Sequence, residues 1–202
     1  MNQVLEITNL SKAFGKNKVI DNLDFKVSLG DLIYIHGTNG CGKSTLFKLI
    51  AGLMDKDEGK INISSNIKIG ALIENPGFIE NENIKFNMEF LASLSKFQIK
   101  DYINDLCHKF SLDYESNVKM KNYSVGMRQK VGIIQAIMED QNFIMLDEPT
   151  RGLDSDSIKT FVTLINDLVK SKKTVIIASH DKIEYLNFTK SYVMCNGKVF
   201  EE

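Results

Sequence analysis

Residues 37–45 read Gly-Thr-Asn-Gly-Cys-Gly-Lys-Ser-Thr, which satisfies the pattern G-x-x-x-x-G-K-[ST]. Glycines at 37, 40 and 42 let the backbone curl so that successive N–H groups point into one concavity, a nest for anionic oxygen. An apolar run (Leu32, Ile33, Tyr34, Ile35) precedes the loop, and apolar periodicity follows it from 46 to 53. A helix starting near Lys43 aims the positive end of its dipole at the same place. Lys43 is then expected to reach the β- and γ-phosphates and Ser44 to face Mg2+, with Asn39, Cys41 and Thr45 in the same cradle. This pattern calls for a nucleoside triphosphate.

A second constellation is Phe-Ile-Met-Leu-Asp-Glu-Pro at 143–149, a buried strand ending in two carboxylates. Asp147 suits Mg2+, which takes hard oxygen ligands, and Glu148 suits a general base or a positioner of attacking water. A third is Thr-Val-Ile-Ile-Ala-Ser-His-Asp at 174–181, again a buried strand, whose end is expected to direct His180 at the γ-phosphate. Tyr-Ser-Val-Gly-Met-Arg-Gln at 123–129 places Ser and Gly at a helix start, a second anion-recognising element whose value lies in its order relative to the rest.

The elements that must position these residues follow from hydrophobic periodicity. Alternation predicts antiparallel strands at 4–8, within an N-terminal stretch that reads as strand from Met1 onward, and at 19–29; further strands are expected at 60–64 and 67–73 after a turn at 55–59. From 75 to about 141 the character turns helical, clearest over 84–94, from Ile99 to 110, and over 125–138. Buried strands return at 143–146 and 174–178, separated by a helix over 155–170 with Ser155 as its N-cap. Asn196-Gly197 marks a hairpin between 192–195 and 198–200. The fold expected is α/β: a P-loop NTPase core with a mostly parallel sheet and flanking helices, an antiparallel β part and an inserted helical block. Residues 1–74 and 142–202 would form the core and 75–141 the helical part of one domain.

The 202 residues carry a net charge of −1, which gives no bulk electrostatic drive toward nucleic acid or an anionic membrane surface. Cysteines 41, 107 and 195 have no metal-ligand spacing and suit reduced thiols of the cytosol. No apolar stretch approaches the ~18 residues of a membrane span. Any membrane role must come through a partner.

Taken in order, these motifs resemble the ATP-binding cassette (ABC) family over essentially the whole chain. The resemblance implies that ATP is held between two cassettes, with Ser124 and Gly126 of the signature closing on the γ-phosphate of the other subunit. It implies that Gly152-Leu153-Asp154 is the D-loop, His180 the switch histidine and Phe14 the aromatic that stacks on adenine. Glu74 replaces the glutamine that usually links core and helical block; like that amide, it offers an oxygen to Mg2+, with an added negative charge. Val125 and Met127 replace a signature glycine and glutamine. The forms Glu-Asn-Pro-Gly-Phe and Tyr-Ser-x-Gly-Met look like those of exporters for bacitracin, lantibiotics and related peptides.

The resemblance thus implies an ATPase using ATP and Mg2+, paired with a second cassette and a separately encoded transmembrane permease, and peripheral on the cytoplasmic face of the membrane. A soluble, non-transport ABC ATPase is the alternative. The docking groove for a permease helix would lie on the helical block near Phe78 and Ile79, whereas Ile84, Phe86, Phe90 and Leu94 are each expected in ordinary core packing.

Overall fold

Two 12-residue strands, β1 (Gln3–Phe14) and β2 (Asn17–Ser28), open the chain and pair antiparallel. They run longer than the alternation at 4–8 suggests, because β1 changes register near Asn9, whose φ is 50°, and resumes its pairing beyond the break. The computed structural model describes residues 3–95 and 100–202; the strand start expected at Met1 and the helix start expected at Ile99 lie outside the described residues. There follow β3 (Leu32–His36), α1 (Lys43–Ile50), β4 (Glu58–Ile63), β5 (Ile69–Leu72), α2 (Ile84–Ser95) and α3 (Lys100–Lys109). A 3-10 turn at Met120–Asn122 leads to α4 (Val125–Ile137), β6 (Phe143–Asp147), α5 (Ser155–Lys170), β7 (Thr174–Ala178), β8 (Lys190–Cys195) and β9 (Lys198–Glu201).

The strands form two sheets. One is antiparallel in the order β2-β1-β4; the other runs β5-β6-β7-β3-β8-β9, parallel except for β9. The α/β expectation holds. Strand β8 lies in the parallel sheet beside β3, with its partner β9 at the edge. Asn196 and Gly197 both take positive φ (49° and 74°), as the two-residue hairpin turn requires.

Period-two alternation explains how the parallel sheet is buried on both faces. On β6, Ile144 and Leu146 pack with α4 and α5, while Phe143 and Met145 pack with α1 and the antiparallel sheet. Strand β7 divides likewise, Val175 and Ile177 to one side and Ile176 and Ala178 to the other. Continuing the alternation, Asp147 emerges at the carboxyl end of β6 on the side of α1, where it meets Ser44.

Two local expectations change. Helix α5 is capped by Asp154, whose carboxylate accepts the Ser157 N–H at 2.8 Å; Ser155 is the first helical residue. Of the four α2 residues expected in the core, Ile84 is fully buried, whereas Phe86, Phe90 and Leu94 are exposed, the two rings lying parallel 6.5 Å apart. The core below is closed by Met88 and Ala92, one face of the same helix, so the second apolar face is surplus to the packing.

Candidate active site

The loop between β3 and α1 begins with Gly37, where a Cβ would come within 2.3 Å of the Met194 carbonyl oxygen on β8. Gly42 precedes the first helical residue at φ 112°, and no side chain caps the helix, so the first-turn N–H groups remain available to an anion. Lys43 is buried, and its Nζ donates to the Gly37 carbonyl at 2.8 Å, folded back over its own loop.

Ser44 Oγ donates to Asp147 Oδ2 at 2.5 Å, tying α1 to the end of β6. Burial pushes the Asp147 carboxyl above its ordinary range; the Ser44 hydroxyl opposes the shift, the Glu148 charge adds to it, and the Glu74 backbone N–H and Lys43 act against it. Two hard oxygens in contact, one an incompletely compensated buried carboxylate, form a donor set that fits Mg2+ with phosphate and water completing its shell. The loop N–H groups and Lys43 fit a polyphosphate in the same way.

Glu148 follows in the left-handed region (φ 47°) and is fixed from three sides: its N–H donates to Ala178 O at 2.7 Å, its carbonyl accepts from Gln129 Nε2 at 2.9 Å, and its carboxylate accepts from Ser179 Oγ at 3.4 Å. A non-glycine residue there is strained, and these bonds hold the turn that separates its side chain from that of Asp147. Glu74 also has positive φ (56°), and its carboxylate is ion-paired with Lys48 of α1 at 2.6 Å. That pairing offsets the charge added by the glutamate.

These residues border one open cleft of about 600 Å3. Asn39, Gly40, Gly42, Lys43, Ser44 and Thr45 line it from the loop; Glu74, Asp147 and Glu148 line it from the strand ends. Gly37 and Cys41 belong to the same loop behind the lining, with Cys41 Sγ 3.9 Å from Lys43 Nζ. Sequence reasoning passed over Val19, Arg128, Gln129 and Arg151, which also line the cleft, and Lys48 beside it. A cation immediately after Asp-Glu-Pro-Thr, and a lysine five positions beyond Lys43, were the available signals for Arg151 and Lys48.

The remaining expected residues stand apart from the cleft of their own chain. Phe14 ends β1, half exposed, with Lys12 Nζ 5.8 Å from its ring centroid. His180 is exposed beyond β7, 3.8 Å from Asp181. Ser124 caps α4 through the Met127 N–H, while Val125, the next residue, borders the cleft. Gly126 lies against the Gly152 carbonyl, only 2.3 Å from where a Cβ would stand. Asp154 caps α5 and lies 3.4 Å from Lys130 Nζ.

The sequence profile described as "ABC transporter" matches residues 20–151, more than half the chain. The chain belongs to the ABC transporter family. It is an ATPase of that family. Among curated relatives, this cassette is 32% identical over 215 residues to the bacitracin transport ATP-binding protein BcrA of Bacillus licheniformis, an alignment covering all of this chain and 70% of BcrA. It is 30% identical to the lantibiotic transport ATP-binding protein SrtF of Streptococcus pyogenes, covering 91% of this chain and 83% of SrtF. The resemblance to the bacitracin and lantibiotic group is borne out. The fold of the ABC cassette is matched by that of MJ0796, a bacterial ABC transporter cassette, with TM-score 0.86, 23% identity and coverage of 98% and 97% of the two chains. Among the described residues, no helix of the cassette is long and apolar enough to cross a membrane.

Proposed function

We propose that the chain is the energising subunit of an exporter of a peptide, antibiotic or other small amphipathic cargo, working as one of two cassettes beneath a separate membrane permease. In this reading residues 1–74 and 142–202 are the catalytic core, and 75–141 is the helical part that meets the permease. Lys43 and the loop N–H groups hold the phosphates, and Glu148 orients the attacking water and accepts its proton. Ser44 and Asp147 would hold Mg2+, which neutralises phosphate charge when bound. His180 stabilises charge at the terminal phosphate once the seam between cassettes has closed.

The observation that carries the reading is a division of labour. The loop residues, Glu74, Asp147 and Glu148 share one cleft, whereas Ser124, Gly126, Asp154 and His180 do not border it. A second copy, or a close paralogue, would supply the missing half. The relative MJ0796 was solved as a dimer, which agrees with that arrangement. The exposed Phe86, Phe90 and Leu94, with exposed Ile79, are the apolar surface a permease helix would cover.

The test is Glu148→Gln. The variant is expected to bind ATP, accumulate as a closed dimer and turn over slowly; losing such a group costs about 2.7–4 kcal/mol of barrier. Near-wild-type turnover would remove Glu148 from the role. Recovery of the wild-type chain with a membrane protein from detergent-solubilised membranes supports transport, whereas its recovery only in soluble assemblies favours the non-transport alternative.

A further inference from the structure

Lys43, Arg128 and Arg151 are the cationic side chains that line the nucleotide cleft among the described residues, and their commitments differ. Lys43 is bonded to the Gly37 carbonyl. Arg128 points its fork at Glu80, with Nη1–Oε2 2.9 Å and Nη2–Oε1 2.7 Å, and also donates to the Met120 carbonyl. The Arg151 guanidinium is exposed and makes no hydrogen bond or ion pair among the described residues, although its main chain is anchored by Arg151 N–H donating to Glu148 O at 3.1 Å. A planar five-donor cation, always charged and unpaired among the described residues, therefore stands on a fixed turn three residues beyond Glu148.

We propose that Arg151 is a specificity-determining residue of its own chain's cleft, binding the terminal phosphate and so favouring a nucleoside triphosphate over a diphosphate. This rests on the ATP-binding reading above. The loop N–H groups serve the inner phosphates, which both nucleotides possess, and Lys43 reaches from these toward the terminal one. Arg151 lines the same cleft as Glu148 and is tied to it through the main chain, so on that reading its cation is placed for the phosphate that only a triphosphate carries. Its two parallel N–H groups match two phosphate oxygens, a geometry that lysine lacks.

The test is calorimetric titration of the full chain, at concentrations where light scattering shows a monomer, with Mg2+ and either the non-hydrolysable imido analogue of ATP or ADP. Arg151→Ala is expected to weaken the triphosphate analogue about tenfold and ADP less than twofold, with Arg151→Lys in between. Retained ADP binding verifies the fold of each variant. Equal losses for both nucleotides, or none, overturn the proposal. So does a variant whose monomer affinities are unchanged and whose only defect is dimerisation, since Arg151 would then serve the partner surface. If the wild-type chain binds neither nucleotide, the reading of the cleft itself falls; binding by wild type that Lys43→Ala abolishes keeps that reading independent of Arg151.

Discussion

Asp147 illustrates how burial can hold a carboxylate at the expense of the fold, here at the place where we propose that Mg2+ binds. Its carboxyl is raised from 3.8, chiefly by burial, so the folded chain binds that proton more tightly than the unfolded one. Its contribution is therefore fully favourable below 3.8 and is lost as pH rises through the folded value. Asp147→Asn should leave the nucleotide-free protein at least as stable as wild type at pH 7 in thermal melts, while weakening Mg2+-dependent nucleotide binding. A melt markedly lowered by the substitution would mean that the carboxylate stabilises the fold. Lys48 and Glu74 form a second pair. Because they are partly exposed, the pair contributes below about 1 kcal/mol to stability. On the proposed reading of the cleft the pair acts in binding: Lys48→Ala should weaken ATP affinity by leaving Glu74 unopposed beside the phosphates, and adding Glu74→Gln should restore it. Titrations on the four corners of that cycle would contradict the account if Lys48→Ala costs as much affinity with Gln at position 74 as with Glu.

At the scale of elements, α4 connects the cleft to the exposed loop before α2. Arg128 grips Glu80, covers the Phe78 ring at 5.4 Å and lines the cleft, while the neighbouring Gln129 holds the Glu148 carbonyl. Arg128→Ala should raise amide exchange over residues 79–83 and leave β6 protected; unchanged exchange there would show that the clamp does not order the loop. The cap of α5 gives a pH signature. Hydrogen bonds from Ser157, and Lys130 in smaller measure, hold the Asp154 carboxyl at about 2, below its usual 3.8. The unfolded chain thus takes up the proton first, and the stabilisation, present above 3.8, is lost as pH falls toward 2. Asp154→Asn, which can still cap, should remove this part of the acid-limb slope of unfolding. An unaltered slope would contradict the assignment.

For the whole molecule, the most legible parts were those in which local chemistry and burial agree. The Asn-Gly hairpin, the all-buried β7 and the amphipathic α5 have the same signature in sequence and structure. So does the loop at 37–45. What was not legible depends on contacts between distant segments. Nothing local says that β8 inserts beside β3, or that Lys48 finds Glu74 across 26 positions. The extra apolar face of α2 reads as core in sequence because periodicity cannot tell a buried stripe from one awaiting a partner. Phe14, Ser124 and His180 stand out in the sequence by their chemistry and motif order, and in one chain they stand off the cleft they are expected to serve.

That separation is what a site divided between two cassettes entails, and complementation tests it most directly. Lys43→Ala lacks the phosphate lysine, and a bulky replacement of Ser124 blocks the surface offered to the other cassette. Each variant alone should be inactive as an ATPase. Mixed, they should recover a fraction of wild-type turnover, because one seam of the mixed pair joins an intact Lys43 to an intact Ser124. A mixture as inactive as its components, or full activity in the Ser124 variant alone, would contradict the account.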